Sequence, residues 1–228
     1  VPVDSLLPEI DRDQLVAEAI SGIDMYRRTM ARDRQLLLSR YHFVDLARKV
    51  VGVGSVGTRC WVALLMGRTI EDPLFLQVKE AGPSVLEAYL GASEYDQHGE
   101  RVVEGQRLIQ SAPDVFLGWE RRSRFLDEGV SDYYFRQLWD WKGSAELETM
   151  PPTALTLYGR ICGRVLARAH ARTGNAAAIA AYLGKGSTFV ASLTEFSQTY
   201  ADLNEADHRA FTEWLASQPA GVGTPAAE

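Results

Sequence analysis

The sequence predicts an α+β protein in which a small, mostly antiparallel sheet with one inserted helix is followed by a helical part. Three observations carry this. Short β-branched and aromatic runs fall between about residues 50 and 138, and such residues fit the pleated, half-buried surface of a strand. One amphipathic stretch, GERVVEGQRLIQSA, interrupts them. From Pro151 onward apolar residues recur at three- and four-residue steps, the period of a helix. The chain has 228 residues, 46% of them hydrophobic and 24% charged, which are ordinary values for a globular protein. A chain of this length buries roughly 70% of its unfolded surface without a staple of disulfides or metal.

Taken in order, residues from about Asp11 to Ser39 read as helix, with Leu15, Ala19, Ile23 and Tyr26 on one stripe and Gly22 weakening its continuity. The arginine-rich stretch Arg27 to Arg40 reads as a solvated face. Val50 to Val53 is a β-branched run, and Thr58 to Leu65 alternates as a strand does. PLFLQVKEA is a third strand ending near Lys79. Pro83 to Leu90 reads as a short helix, ahead of the amphipathic one. Asp114–Trp119 and Asp132–Leu138 are expected to be two further strands, with WDWKGS as the exit from the second. The helical part then runs from Pro151 to about Ala171, Ala176 to Leu183, Phe189 to Tyr200 and Glu205 to Leu215, with Gly174 and Asn175 as a stop signal. The expected division is a helical segment at 1–46, the sheet at 47–145, the helical part at 146–217 and a small, Pro/Gly-rich tail at 218–228.

Several function classes are excluded or disfavoured. A net charge of −6 and a pI near 5.3 argue against general nucleic-acid binding. Cys60 and Cys162 lack a CxxC spacing and lie in apolar or helical runs, so both are expected to be buried thiols rather than a disulfide. His42, His98, His170 and His208 form no zinc spacing. His170, near the end of an apolar helix, reads as a packing or capping residue, because no Ser, Cys or Asp at a suggestive spacing marks a hydrolase triad. No membrane span and no signal peptide are legible, so a cytoplasmic location and no membrane partner are expected. The chain begins with Val1 rather than Met, which leads to the expectation that an N-terminal part precedes it.

Gly52, Gly54 and Gly57 form GxGxxG, with Ser55 inside it. That motif occurs in dinucleotide-binding and in kinase-like folds. The first turns directly into a helix; here an alternating strand follows, which favours a hairpin whose backbone amides approach phosphates. A hairpin with glycines for turn geometry alone is the plainer alternative. Lys79 adds to the kinase-like reading. It is one of four lysines, with Lys49, Lys142 and Lys185, and it closes the strand after the glycine hairpin. A kinase-like site needs a lysine there for the α/β-phosphates. A half-buried ammonium needs an anionic partner; Glu104 is the first candidate and Glu87 the second, with a surface acid such as Glu80 as the plainer alternative. Lys142 and Arg136 read as solvated, and Trp139 and Trp141 as packing residues that are placed to flank a base.

The strings VGVGSVGTRCWV, PLFLQVKEA, GERVVEGQRLIQ, DVFLGW, DYYFRQLWDWKGS and LARAHAR resemble an uncharacterised bacterial family, the domain of unknown function numbered 2252, from about Val50 to Tyr200. That family resembles protein-kinase-like phosphotransferases of the aminoglycoside and choline kinase type. The resemblance implies a kinase-like fold, ATP with Mg as cofactors, and an unknown small-molecule acceptor. Gly52, Gly54, Ser55 and Gly57 would then cradle phosphates, Lys79 would hold them and Glu104 would orient Lys79. An HGDxHxxN-like catalytic loop and a DFD-like turn are absent from this sequence; in the family they lie before the glycine loop. The resemblance therefore implies a nucleotide-binding half that is inactive alone, with catalytic and metal-binding residues in the missing N-terminal half. A non-catalytic binding or regulatory module is the alternative, and a dinucleotide-binding oxidoreductase half ranks below both.

Overall fold

The computed structural model describes residues 12–49, 57–123, 129–139 and 143–218. The chain divides into two compact units, residues 1–173 and 174–228. In the first, α1 (Arg12–Arg28) and α2 (Arg32–Leu38) precede β1 (His42–Arg48), β2 (Cys60–Met66) and β3 (Pro73–Ala81). A single turn of helix, α3 (Glu87–Leu90), and α4 (His98–Ile109) lead to β4 (Gly118–Ser123) and β5 (Val130–Gln137). A 3-10 turn at Leu147–Thr149 and α5 (Pro152–Thr173) follow. The second unit contains α6 (Ala176–Leu183) and α7 (Ser187–Ser217).

The five strands form one antiparallel sheet in the order β1-β2-β3-β5-β4. The α+β expectation with an inserted helix therefore holds at this level. Strand alternation sorts the side chains by face. One face carries Trp61, Ala63 and Leu65 of β2, Leu74, Leu76 and Val78 of β3, and Tyr133 and Phe135 of β5, all buried with Tyr26 and Met30 in a single apolar cluster. The ring of Tyr26 from α1 stacks on Phe135 at 4.2 Å, and its hydroxyl donates to the Phe116 carbonyl at 2.5 Å. Helix α4 packs on the opposite face. Arg107 sits 5.5 Å over the Trp119 ring, and the Asp132 carboxylate accepts from the His98 backbone N–H at 2.8 Å, which ties down the start of the helix.

Several sequence expectations are corrected. The first helix does not weaken at Gly22 but ends after Arg28; Thr29 Oγ1 bonds the Tyr26 carbonyl at 2.7 Å and accepts from Trp119 N at 3.0 Å, turning the chain toward β4. Gly22 is there for a different reason: a Cβ on it would lie 2.6 Å from the Arg122 guanidinium. Strand β1 starts at His42, inside the segment expected to be helical, while the run Val50 to Val53 lies outside the described residues. Asp114–Leu117 is a turn rather than strand. The Asp114 carboxylate accepts from Phe116 N at 2.7 Å and Gln137 N at 2.8 Å, a local bond that competes with the ladder. The two helices expected at Phe189–Tyr200 and Glu205–Leu215 are one, since nothing between them breaks the ladder. Cys60 is buried as expected, but Cys162 is only half-buried. Among the described residues no single helix is long and apolar enough to cross a membrane.

Candidate functional site

The candidate site lies on the sheet face that α1 does not cover. Antiparallel register sets Cys60, Lys79 and Tyr134 side by side across β2, β3 and β5, and Val62, Gln77 and Arg136 in the next row. Period-two alternation within each strand puts both rows on one face. Gln77, nearly inaccessible at 3% exposure, organises them: its Nε2 donates to Cys60 Sγ at 3.5 Å and its Oε1 accepts from Arg136 Nε at 3.0 Å. A buried primary amide with a partner on each side is satisfied and fixed.

Three cations surround this point. Burial pushes the Cys60 thiol up, while Lys79, the Gln77 amide, Lys49 and Arg136 pull the other way. These three cations come one each from β3, the end of β1 and β5. Lys49 holds its place through its backbone N–H, which donates to the Cys60 carbonyl at 2.9 Å. Among the described residues Lys79 forms no ion pair. Glu104 pairs with Arg107 at 2.6 Å, and Arg107 in turn donates to the Leu117 carbonyl at 2.8 Å. Glu87 stands 3.9 Å from Arg101 and accepts from Ser84 N at 3.1 Å. Glu80 is held by Arg59 and Ser131. None of the three acids proposed from the sequence as a partner for Lys79 meets it in this structure.

Of the glycine motif, Gly52, Gly54 and Ser55 lie outside the described residues. Gly57 is described and adopts φ +81°, in the left-handed region that suits glycine. It leads into strand β2 rather than a helix, which removes the dinucleotide-binding reading, because that motif requires a helix N-terminus at this point. Beyond Arg136 a cavity of about 470 Å³ is lined by Gln106, Gln110, Asp114, Val115, Arg136 and Trp139. Trp139 is 54% exposed, so it is not the packing residue the sequence suggested; Trp141 and Lys142 lie outside the described residues. His170 is exposed on α5.

Sequence reasoning overlooked Gln77 and discounted Arg136. A signal existed for both. Gln77 is two residues before Lys79 and Arg136 two after Tyr134, so each shares a face with its neighbour. Which strand lies opposite which was not legible. Among the described residues no group of three His, Cys, Asp or Glu is placed to hold a metal ion, so they offer magnesium no ligand set. The arrangement gathers three cations on the partly covered sheet face where α4 packs, at the end where Gly57 enters β2, which suits a multiply charged anion.

The sequence model of DUF2252, described as an uncharacterized protein conserved in bacteria, matches residues 5–214. The chain belongs to that family. No curated protein and no solved structure matches it.

Proposed function

We propose that this chain is the nucleotide-binding half of a kinase-like small-molecule phosphotransferase. The observation that carries the reading is the gathering of Lys79, Lys49 and Arg136 around Cys60, at the end of the sheet where Gly57 enters β2. The order of parts supports it: glycine segment, strand, strand with lysine, helix, and two further strands, with β5 returning beside β3. On this reading Gly52, Gly54, Ser55 and Gly57 approach the phosphates of ATP, and Lys79 binds them. Glu104 is the residue that orients Lys79 once it exchanges its present partner, Arg107. The catalytic-loop and metal-turn motifs are absent from this sequence, so the chain by itself binds nucleotide without transferring phosphate.

Thermal unfolding with increasing Mg-ATP, beside Lys79→Ala, tests this. A ligand at 100 times its dissociation constant contributes about 2.7 kcal/mol, which for a chain of this size raises Tm by roughly 5–11 °C. A saturable shift that Lys79→Ala abolishes is the expected result. An equal shift in the variant removes Lys79 from the site. No shift in the wild-type chain overturns nucleotide binding by this half and leaves the partner-binding module as the reading.

A further inference from the structure

On the opposite face of the sheet, under α1, lies an acidic residue that no part of the candidate site uses. Glu120 of β4 is 4% exposed. Among the described residues its Oε1 has no hydrogen-bond partner, and Arg122 Nε stands 3.6 Å from it. The Arg122 guanidinium is engaged elsewhere as well, donating to the Glu18 carbonyl of α1. Beside Glu120 is a small cavity of about 50 Å³. It is walled by Ala19, Gly22 and Ile23 of α1 and by Phe43, Trp61 and Phe135 of the sheet. Space of this size admits one or two waters, and the Glu120 carboxyl, with Arg122 beside it, is polar enough to hold them.

Among the described residues, few charged and titratable groups face Glu120. Helix α1 presents Ala19, Gly22 and Ile23; β1, β2 and β3 present apolar side chains; β5 presents Phe135 and the Tyr133 phenol; and β4 presents Arg122. Gly22 brings the helix so close that a Cβ there would lie 3.0 Å from Glu120 Oε2. The protonated carboxyl is tolerated in such surroundings, whereas a carboxylate without a full set of donors draws water toward itself.

The far end of α1 is fastened independently. Tyr26 stacks on Phe135 and bonds the Phe116 carbonyl, and Thr29 accepts from Trp119 N. The middle of α1, residues 18–23, rests on Glu120 and Arg122.

We propose that Glu120 is a proton-controlled seat for α1: protonated, it lets the middle of the helix, residues 18–23, close on the sheet, and ionised, it hydrates the cavity and lifts the helix up to Ile23 while the Tyr26 end stays docked. Burial pushes the Glu120 carboxyl up to about 7, with Arg122 pulling it down, so the change falls near neutrality. The proposal is independent of nucleotide binding, which concerns the other face.

Hydrogen exchange read by mass spectrometry on the whole chain tests it. With intrinsic rates corrected, protection of residues 16–24 in wild type is expected to fall about tenfold between pH 6 and pH 8, the ratio that a carboxyl of pKa near 7 closed and 4.5 open dictates. In Glu120→Gln it is expected to stay level. A wild-type profile that is flat over this range overturns the proposal, as does an equal fall in the variant. A carboxyl titration followed by carbon NMR gives a second reading: a midpoint near 7 for Glu120 supports the seat, and one below about 5 overturns it.

Discussion

The sheet and the helices from Pro152 onward are built from equally apolar sequence but end differently. Leu76 at the centre of β3 and Val103 of α4 are fully buried. In α5, α6 and α7 no residue is buried. Leu155, Ile161, Val165 and Leu166 form the stripe predicted for α5, yet each is at least 45% exposed. On α7 the aromatic rings find each other along the helix instead, Phe196 against Tyr200 at 5.7 Å and Phe211 against Trp214 at 6.0 Å. The difference teaches that periodicity specifies which face an element offers, while burial depends on what stands opposite. Each central strand meets two neighbours supplied by its own chain, and the sheet's two faces are closed at least in part by α1 and α4. Pairs spaced three or four residues apart on a helix give only a few tenths of a kcal/mol, so α7 draws little from its own rings.

Substitutions sharpen this contrast. The largest effect belongs to Leu76→Ala, expected to cost about 3 kcal/mol through lost transfer energy and the cavity left behind. Urea unfolding measures it; a cost below about 1 kcal/mol would mean the sheet core is no more committed than the helices.

Next is Glu120→Gln. The folded carboxyl has its pKa raised from 4.5 to about 7. Its contribution to stability is therefore fully present below pH 4.5, declines as pH rises and is lost above 7. The amide has no such dependence. The variant should match wild type near pH 4 and exceed it by about 3 kcal/mol at pH 8 in parallel denaturant titrations. Equal stability at both pH values would show that Glu120 is solvated in the folded protein.

Gly118→Ala is smaller. The added Cβ would lie 2.6 Å from the Tyr26 ring and 2.9 Å from Thr29 Oγ1, so α1 must shift, at about 1.5 kcal/mol. A Tm unchanged from wild type would show that the C-terminal end of α1 is less firmly seated than its bonds indicate.

The smallest effect is on the helices. Phe196→Ala removes a ring that is 62% exposed and should change stability by no more than about 0.5 kcal/mol. A loss of 2 kcal/mol or more in the same titration would break the comparison, because that ring would then be buried in solution.

Much of the fold was legible in the amino-acid pattern. β2, β3, β5, α4, α5 and α6 fall within a few residues of their sequence limits, because alternation and helical spacing are local. The errors share a cause as well. β1 reads HFVDLAR, whose Asp45 and Arg48 interrupt a clean alternation, and only pairing with β2 makes it a strand. Asp114 delays β4 because its carboxylate finds backbone donors at Phe116 and, across the sheet, at Gln137. Of the candidate site, Lys79 and the glycines stood out by type and position. Gln77 and Arg136 did not, since their importance comes from lying beside Cys60 and each other.

The sequence by itself determined most element types, the order of β2, β3, α4 and β5, the glycines ahead of β2 and the lysine on β3, because each depends on backbone preferences and side-chain periods within a short window. Only the tertiary structure decided the strand order, the lateral rows that bring three cations to Cys60, the diversion of Glu104 to Arg107 and the closure of α1 over Glu120. Those outcomes join residues dozens of positions apart, and a local pattern carries no information about which distant surface will compete most strongly for a given side chain.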